Sequence, residues 1–405
     1  MTTTLLHRRK FLAGATAFGT ASLAGLRAAD DDSKTKLTVG VIGHTGRGNY
    51  GHGIDTVWLK MPETRIVAVA DADDKGRAKA LEHLDLENDS AGFADYRKML
   101  TELKPDLVAI GPRFVDEHHD MVIAAAEAGA KGIYIEKPFC RDLAEADAIV
   151  AACEENGTRL AIAHRNRYHP VLPVIAQLVK DGAIGRWLEI RARGKEDQRG
   201  GGLDLWVLGS HLLNLCHYFA GNPLACSATM MQDGRPVTKA DVVDGAEGVG
   251  PLAGNELHAR FEMESGIPVF FESIQNAGTR EAGFGIQLVG TEGIIDLRAD
   301  AEPLAHFLPG NINRPTAEPR AWVPITSAGI GKPEPIADIR ERVGGHVGPA
   351  RDLIAAITEN RDPLCSAKDG RVIVEMISAV FESHRQGGGR VVMPLKERTH
   401  PFASW

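Results

Sequence analysis

The chain has 405 residues, of which 46 are Lys or Arg, 54 are Asp or Glu and 15 are His, so its formal net charge is -8. A hydrophobic fraction of 43% with 25% charged residues is ordinary globular usage, which excludes a largely disordered chain and a protein with many membrane spans. The length predicts two domains, and the acidic balance argues against binding to nucleic acid or to an anionic membrane.

The first 29 residues have the order of a bacterial signal peptide. Adjacent arginines, Arg8 and Arg9, precede an Ala- and Gly-rich apolar run at residues 11–26, and the segment closes with Ala29. The run is too short for a retained membrane span. A twin-arginine signal therefore predicts export to the periplasm or another extracytoplasmic compartment. The alternative is a cytoplasmic enzyme with a basic N-terminus.

A short apolar strand is predicted at residues 37–42, and it runs directly into a glycine-rich turn. Such a turn lets the backbone approach a pyrophosphate, and a helix that follows it offers free N–H groups to the phosphates. The glycines fall as G-x-x-G-x-G, with threonine where the usual G-x-G-x-x-G pattern has its second glycine. The candidate cofactor-binding residues in this turn are Gly43, Thr45, Gly46, Arg47 and Gly48.

A second apolar strand, at residues 65–70, ends at Asp71. In dinucleotide-binding folds a carboxylate here accepts hydrogen bonds from the adenosine ribose, which favours NAD over NADP. Lys75 and Arg77 lie close enough in sequence to leave NADP possible. The alternative role for Asp71 is to cap the next helix. Because the spacing from Gly43 exceeds the usual one, the intervening residues must hold a longer helix or loop.

Two further strands are predicted at residues 106–110 and 132–135, each followed by a helical pattern. Strands that alternate with helices in this way predict a doubly wound parallel sheet, with ligands at the carboxyl ends of the strands. The second of these strands leads directly into Glu136, Lys137 and Pro138.

These residues, in this order, resemble the Gfo/Idh/MocA family, which includes glucose-fructose oxidoreductase and inositol dehydrogenase. The resemblance covers nearly all of the chain after the signal segment. The motifs that carry it are the glycine-rich turn, Asp71, Pro112, His118, Glu136-Lys137-Pro138, Gly200-Gly201-Gly202, His211 and the closing residues 387–395.

The resemblance implies an α/β fold with an NAD(P)-binding Rossmann domain at residues 35–162. An α/β domain with a large, mostly antiparallel sheet is expected at residues 163–405, and this sheet often makes the contacts of a homodimer or homotetramer. The resemblance also adds Pro112, His118, Glu136 and Lys137 to the candidate cofactor-binding residues.

In the family, the lysine that matches Lys137 contacts substrate and nicotinamide, and the histidine that matches His211 takes part in proton transfer. Many members carry an aspartate four residues before that histidine, whereas this chain has Val207 there. In a regular helix Asp204, seven residues before His211, lies on the same face. We therefore predict that Asp204 replaces the missing carboxylate; its alternative role is an N-cap after the three glycines.

Oxidation of a sugar carbinol sends a hydride to the nicotinamide and the hydroxyl proton to a base. His211 could take that proton, and Lys137 could either relay it or stay charged and polarise the oxygen. Candidate substrate-binding residues are Arg167 and Tyr168, at the entry to the second domain, and Lys195 in a charged loop. Each of these loops could instead be merely solvated.

The leading hypothesis is an exported NAD(P)-dependent oxidoreductase that acts on CH–OH groups of a small-molecule sugar. The second is a glycosidase or lyase that oxidises a sugar hydroxyl transiently and recycles a bound cofactor. The third is a nucleotide-bound sugar-binding protein that has lost catalysis. The five cysteines form no Cys-x-x-Cys pair, so we expect neither a metal site nor a disulfide framework.

Overall fold

A computed structural model describes residues 36–86, 88–277 and 284–405. The predicted signal peptide, residues 1–29, lies outside these ranges. Within them, no helix combines the length and apolarity that are needed to cross a membrane.

Short strands rich in Val, Ile and Ala form a six-stranded parallel sheet in the first part of the described chain, as the apolar runs predict. The strands are β1 (Leu37–Ile42), β2 (Thr64–Ala70), β3 (Gly92–Phe93), β4 (Leu107–Ile110), β5 (Gly132–Ile135) and β6 (Arg159–Ile162). Their order is β3-β2-β1-β4-β5-β6, so the direction of winding reverses between β1 and β4. Ligands of such sheets bind at this reversal.

Four α-helices follow strands of this sheet: α1 (Asp74–His83), α2 (Tyr96–Leu103), α3 (His118–Glu127) and α4 (Leu143–Asn156). Three of them begin after an aspartate, Asp73, Asp95 or Asp142, whose side chain accepts a hydrogen bond from the first turn. The helix cap expected in this acidic run is thus Asp73, which leaves Asp71 at the sheet edge.

The predicted helix after the glycine-rich turn is absent from residues 43–63, all of which the structure describes. These residues form successive turns and one short 3-10 helix at Val57–Lys60. Gly46, Gly48, Gly51 and Gly53 all have positive φ, a conformation that an α-helix does not accept. The helix dipole expected for phosphate binding is therefore missing.

The chain crosses to the second sheet through α5 (Val171–Lys180) and β7 (Trp187–Arg193). The three glycines then lead into α6 (Gly201–Asp204), a π segment (Leu205–Gly209) and α7 (Ser210–Ala220). This run carries His211 toward the carboxyl ends of the first sheet.

The second sheet has eleven strands within the described residues and is antiparallel except where β7 meets β13. After β7 its members are β8 (Pro223–Gln232), β9 (Arg235–Pro236), β12 (Glu256–Met263), β13 (Val269–Ile274), β14 (Gly285–Gly290), β15 (Gly293–Arg298), β16 (Ala305–Pro309), β17 (Val323–Thr326), β18 (Gly329–Ile330) and β19 (Val391–Val392). A separate two-stranded ladder pairs β10 (Val243–Asp244) with β11 (Pro251–Leu252). The α/β fold with a large, mostly antiparallel second sheet is thus confirmed.

Three late helices complete the fold: α8 (Ile339–Gly344), α9 (Val347–Glu359) and α10 (Ala367–Arg385). Helix α10 packs on β8 of the second sheet and on α4, one of the helices that follow strands of the parallel sheet. Helix α9 returns to pack against β5 and β6. Residues late in the chain therefore cover part of the parallel sheet.

Candidate active site

A cleft of about 170 Å³ lies where the carboxyl ends of β4, β5 and β6 face the second sheet. Its lining residues are His52, Arg113, Glu136, Lys137, Ala163, Arg165, Lys195, Arg199, Val207, Leu208, His211, Glu247, Asp300 and His346. The cleft thus contains Lys137, His211 and Lys195, which the sequence singled out. A larger cavity of about 570 Å³ lies on the outer face of the second sheet and includes none of the predicted site residues.

Lys137 enters the cleft from the end of β5, after the buried Glu136. Its Nζ donates to the Val207 carbonyl at 3.1 Å, and burial lowers the pKa of the ammonium group. Glu136 is fixed from both sides: Oε1 accepts the backbone N–H of His52, and Oε2 accepts the backbone N–H of Lys137. Burial would raise the pKa of Glu136, but the hydrogen bond from His52 and the charge of Lys137 hold it at about 2. Glu136 is therefore a charged neighbour that holds Lys137 in place.

His211 pairs with a second histidine that the sequence did not reveal. The Nδ1 atoms of His164 and His211 are 3.2 Å apart, and the rings meet edge to face. Burial and the charge of Lys137 lower the pKa of His211 to about 3, and burial also lowers that of His164. Both rings are therefore neutral near pH 7.

The contact between two neutral rings needs one donor and one acceptor. When Nδ1–H of His211 donates to Nδ1 of His164, the other nitrogen of His211, Nε2, carries a free lone pair. In this tautomer, one of the two that the contact permits, His211 can act as a base.

Asp300, in the turn after β15, is a carboxylate that lines the same cleft as His211. Its Oδ1 accepts from Arg165 Nε at 2.9 Å and from Asn166 Nδ2 at 3.1 Å. Burial alone would raise the pKa of Asp300, but the hydrogen bond from Arg165 and the charge of Arg165 hold it below its ordinary value. A residue 89 positions from His211 gives no sequence signal, because only the fold brings the two together.

Asp204 does not share a face with His211, and this prediction is corrected. The π segment between them changes the helical repeat, so a spacing of seven residues no longer returns to the same side. Asp204 is fully buried, and its Oδ2 accepts from Ser273 Oγ at 2.6 Å and from the backbone N–H of Glu196 at 3.1 Å. Burial raises its pKa. Asp204 therefore fastens the π segment to β13 and does not line the cleft.

Arg167 and Tyr168 also lie outside the cleft, which corrects their predicted contact with substrate. The guanidinium of Arg167 stacks on the Tyr218 ring at 4.1 Å, and the buried hydroxyl of Tyr168 points to the Cys365 carbonyl. The residues of this segment that belong to the site, His164 and Arg165, precede Arg167 and Tyr168. His164 and Arg165 line or support the cleft, whereas Arg167 and Tyr168 are packing residues.

The glycine-rich turn is linked to the loop after β4. Arg47 forms an ion pair with Asp116 at 2.7 Å and stacks on Phe114, and His44 contacts Glu117. A Cβ on Gly48 would lie 2.3 Å from the Arg113 backbone nitrogen, so only glycine allows this approach. The two loops that border the dinucleotide crevice are thus in contact.

His118 holds the loop after β4 in place through hydrogen bonds of its ring. Its ring is fully buried, with Nε2 at 2.7 Å from the Pro112 carbonyl and Nδ1 at 3.2 Å from the Phe139 carbonyl. The predicted direct contact of His118 with the cofactor is therefore corrected: His118 holds together the loops after β4 and β5.

Asp71 lies at the end of β2 as predicted, but the protein already binds its carboxylate. Oδ2 accepts from Thr45 Oγ1 at 2.7 Å and from Tyr50 Oη at 2.9 Å, and Oδ1 accepts from the Asp73 backbone. Tyr50 covers the crevice itself, because its ring takes the space of a Cβ on Gly43.

The residues suit a nicotinamide dinucleotide in kind. Asp71 offers a carboxylate to a ribose. No protein atom lies within 4 Å of the position that a Cβ on Gly46 would take, so the space beside this glycine is open. Lys137 and His211 line a polar cleft. The cleft volume is below the roughly 300 Å³ of ordinary small-molecule pockets, however. Because the Tyr50 ring lies against Gly43, a dinucleotide at the turn after β1 would need the Tyr50 ring to shift.

Comparisons with known proteins agree with this architecture. Residues 37–164 match a family described as "Oxidoreductase family, NAD-binding Rossmann fold", and residues 178–393 match its partner, "Oxidoreductase family, C-terminal alpha/beta domain". The expectation of an NAD-binding domain is therefore confirmed.

Individual relatives are more distant. The chain is 26% identical to D-apiose dehydrogenase of Paraburkholderia graminis over 361 residues, which cover 84% of this chain and 87% of that protein. It is 25% identical to levoglucosan dehydrogenase of Pseudarthrobacter phenanthrenivorans over 252 residues, 56% of this chain and 63% of that protein. A solved levoglucosan dehydrogenase, in complex with NADH and levoglucosan, has a TM-score of 0.68 at 22% identity and covers 89% of this chain and 100% of that one. At that identity the likeness shows the fold alone.

Proposed function

Because this chain belongs to the Gfo/Idh/MocA oxidoreductase family, we propose that it transfers a hydride between a nicotinamide cofactor and the CH–OH carbon of a sugar or sugar derivative. The observation that carries the proposal is the joint placement of Lys137 and His211 in one cleft at the carboxyl ends of the Rossmann strands, with the buried His164 in contact with His211. The names of the relatives, D-apiose dehydrogenase and levoglucosan dehydrogenase, support a sugar as the substrate class.

In the direction of oxidation, a bound nicotinamide would accept the hydride from the carbinol carbon. The hydroxyl proton passes to Nε2 of His211, whose Nδ1–H is held by His164. Lys137 Nζ, which donates to the Val207 carbonyl, can also donate to the carbinol oxygen and stabilise its developing negative charge. Loss of the hydride and of the proton together gives the carbonyl product.

The test begins with the purified full chain. Denaturation should release nicotinamide, or the folded chain should bind added NAD. Incubation with aldoses and polyols should then change the absorbance of reduced nicotinamide. Absence of any bound or bindable cofactor would overturn the proposal.

A substitution localises the chemistry. Lys137→Met removes the ammonium group but keeps most of the side-chain volume, and we expect turnover to fall by about 100-fold or more. Lys131→Met is the matched control, since Lys131 forms only a surface pair with Asp106. Release of an aglycone from a glycoside without net reduction of the cofactor would instead support the glycosidase or lyase alternative.

The proposal includes export by the twin-arginine route, which rests on Arg8 and Arg9 in the sequence. The experiment is cell fractionation of the full chain and of Arg8→Lys with Arg9→Lys. We expect the wild type outside the cytoplasm and the double variant inside. Cytoplasmic wild type would remove this part of the proposal and leave the enzymatic part untouched.

We further propose a homodimer or homotetramer formed through the outer face of the second sheet. This face presents alternating Arg and Glu side chains around its cavity, and Trp322 beside it is 40% exposed. An exposed tryptophan on a broad sheet is typical of an interface. A monomeric mass in solution would contradict the proposal.

A further inference from the structure

The cleft contains three carboxylates, and they differ in how many of their oxygens already accept hydrogen bonds from the protein. Glu136 has both oxygens bonded, to His52 and to the Lys137 backbone. Glu247 lies in a left-handed turn with φ of 57° on the far loop. Asp300 has Oδ1 bonded, whereas Oδ2 has no hydrogen bond within the part of the chain that the structure describes. Its side chain is 32% exposed and lines both this cleft and the neighbouring cavity beside Asn166.

One short segment places Asp300 and the histidine pair together. His164 contacts His211, and the next two residues, Arg165 and Asn166, both hold Oδ1 of Asp300. The Asn166 amide oxygen also accepts the backbone N–H of Asp300 at 3.2 Å. The segment therefore fixes the turn after β15 and the reactive histidine relative to each other.

We propose that Asp300 is the catalytic carboxylate of this site: its Oδ2 accepts a hydrogen bond from a substrate hydroxyl next to the reacting carbinol. It thereby takes the place of the carboxylate that is missing at Val207 and that Asp204 does not supply. This inference rests on the proposed function, and it names the substrate class as sugars or polyols with neighbouring hydroxyl groups.

Two physical effects follow from this placement. A carboxylate makes stronger hydrogen bonds to hydroxyl groups than a neutral acceptor does, so it fixes the sugar ring in one orientation. Its negative charge also favours the positively charged form of His211 that exists after proton uptake. The first effect acts on substrate binding and the second on turnover.

The central variant is Asp300→Asn, which keeps the size and an acceptor for Arg165 but removes the charge. We expect kcat/KM for the preferred sugar to fall about tenfold to hundredfold, with both a higher KM and a lower kcat. Glu302→Gln is the matched control. It lies two residues away, its carboxylate pairs with His169, and it is outside the cleft. We expect Glu302→Gln to keep wild-type kinetics.

A second readout separates substrate contact from a structural role. Binding of D-glucose, D-apiose and levoglucosan, and of 2-deoxy- and 3-deoxy-D-glucose, is measured by calorimetry on the wild type and on Asp300→Asn, both saturated with NADH so that the sugar is not oxidised. The wild type should bind at least one sugar and discriminate against a deoxy analogue, and Asp300→Asn should lose most of that discrimination. If Asp300 were only structural, affinities would fall equally for all sugars and the discrimination would persist.

The outcomes separate the proposed function of the protein from the proposed role of Asp300. If the wild type binds neither NAD nor any of these sugars, the proposed function fails, and this inference fails with it. If the wild type is active and Asp300→Asn matches it within about twofold in kinetics and discrimination, the role of Asp300 is overturned while the function stands. Thermal unfolding of both variants confirms that each has folded.

Discussion

Single residues show why part of this site is readable from sequence. Lys137 lies two residues after the end of a short apolar strand, so its place at the sheet edge follows from the pattern alone. His164 and Asp300 lie on loops far from His211 in sequence, and only tertiary folding brings them to it. Asp204 was misplaced because a π segment cannot be recognised from residue spacing. The sequence therefore predicts the residues at strand ends and misses those held by loops.

Asp204 offers a prediction at the same scale. In Asp204→Asn the amide oxygen can take the place of Oδ2 and keep accepting from Ser273 Oγ and from the backbone N–H of Glu196. The NH₂ group then takes the place of Oδ1, which is buried and has no hydrogen-bond partner among the described residues. We expect the free energy of unfolding to fall by about 1–3 kcal/mol, measured by urea denaturation, because a buried NH₂ group is left without an acceptor. Turnover should stay within about twofold of wild type once the protein is folded.

Ser273→Ala removes the hydrogen bond from Ser273 Oγ to residue 204 and leaves the Asp204 carboxylate in place, so it is the control for Asp204→Asn. It should show the same pattern of lower stability with normal turnover. A large loss of turnover in folded Asp204→Asn, with Ser273→Ala normal, would restore the catalytic role first predicted for Asp204.

At the scale of elements, the glycine-rich segment departs most from expectation. The strand pattern correctly predicts β1, β2, β4 and β5, because buried parallel strands are continuous apolar runs. The predicted helix after β1 fails for a physical reason. Each glycine costs about 1 kcal/mol in a helix, and glycines recur here at 46, 48, 51 and 53. The result is a loop that lies over the strand ends.

This loop makes a prediction about the cofactor. Tyr50→Phe removes the hydroxyl that donates to Asp71 and so weakens the closed arrangement of the crevice. We expect NAD to bind about twofold to tenfold more tightly, measured by calorimetry, because less free energy is needed to displace the segment. The control is Tyr96→Phe, since Tyr96 begins α2 and only stacks with Arg97. Weaker binding of NAD by Tyr50→Phe would show that Tyr50 contacts the bound cofactor instead.

At the scale of the whole molecule, buried neutral histidines make stability depend on pH. Burial lowers the pKa of His346 and His400 to about 4 and that of His211 to about 3, against an ordinary value of 6.5. The unfolded chain therefore binds more protons than the folded one below pH 6.5. Stability is complete above that pH and falls as the pH drops toward the folded-state values.

His400 provides the test of this dependence. It is packed against Trp206 and Phe381, away from the cleft, and its Nδ1 accepts the Phe402 N–H. His400→Asn can keep that acceptor but does not titrate. Between pH about 7.5 and about 5.5, the free energy of unfolding of His400→Asn should fall less steeply than that of the wild type. The two slopes should differ by up to about 1.4 kcal/mol per pH unit.

The control is His119→Asn, whose histidine lies at the surface beside Asp120. Its slope should equal that of wild type. Equal slopes for His400→Asn and wild type would show that His400 does not take up a proton on unfolding in this range.

The cysteines show no disulfide within the described residues: all five are free and buried. Burial raises the pKa of the Cys216, Cys226 and Cys365 thiols, which disfavours their reactive thiolate form.

Helix α9 has a consequence for how this protein can be recombined with its relatives. Leu353 and Ile357 of α9 pack on Gly132 of β5, and the Tyr134 hydroxyl bonds to His346 just before the helix. A fragment that stops after β6 would leave this face of the nucleotide-binding sheet bare. An exchange of nucleotide-binding halves between two such proteins must therefore transfer two separate pieces of sequence, the first sheet and the later helix that covers it.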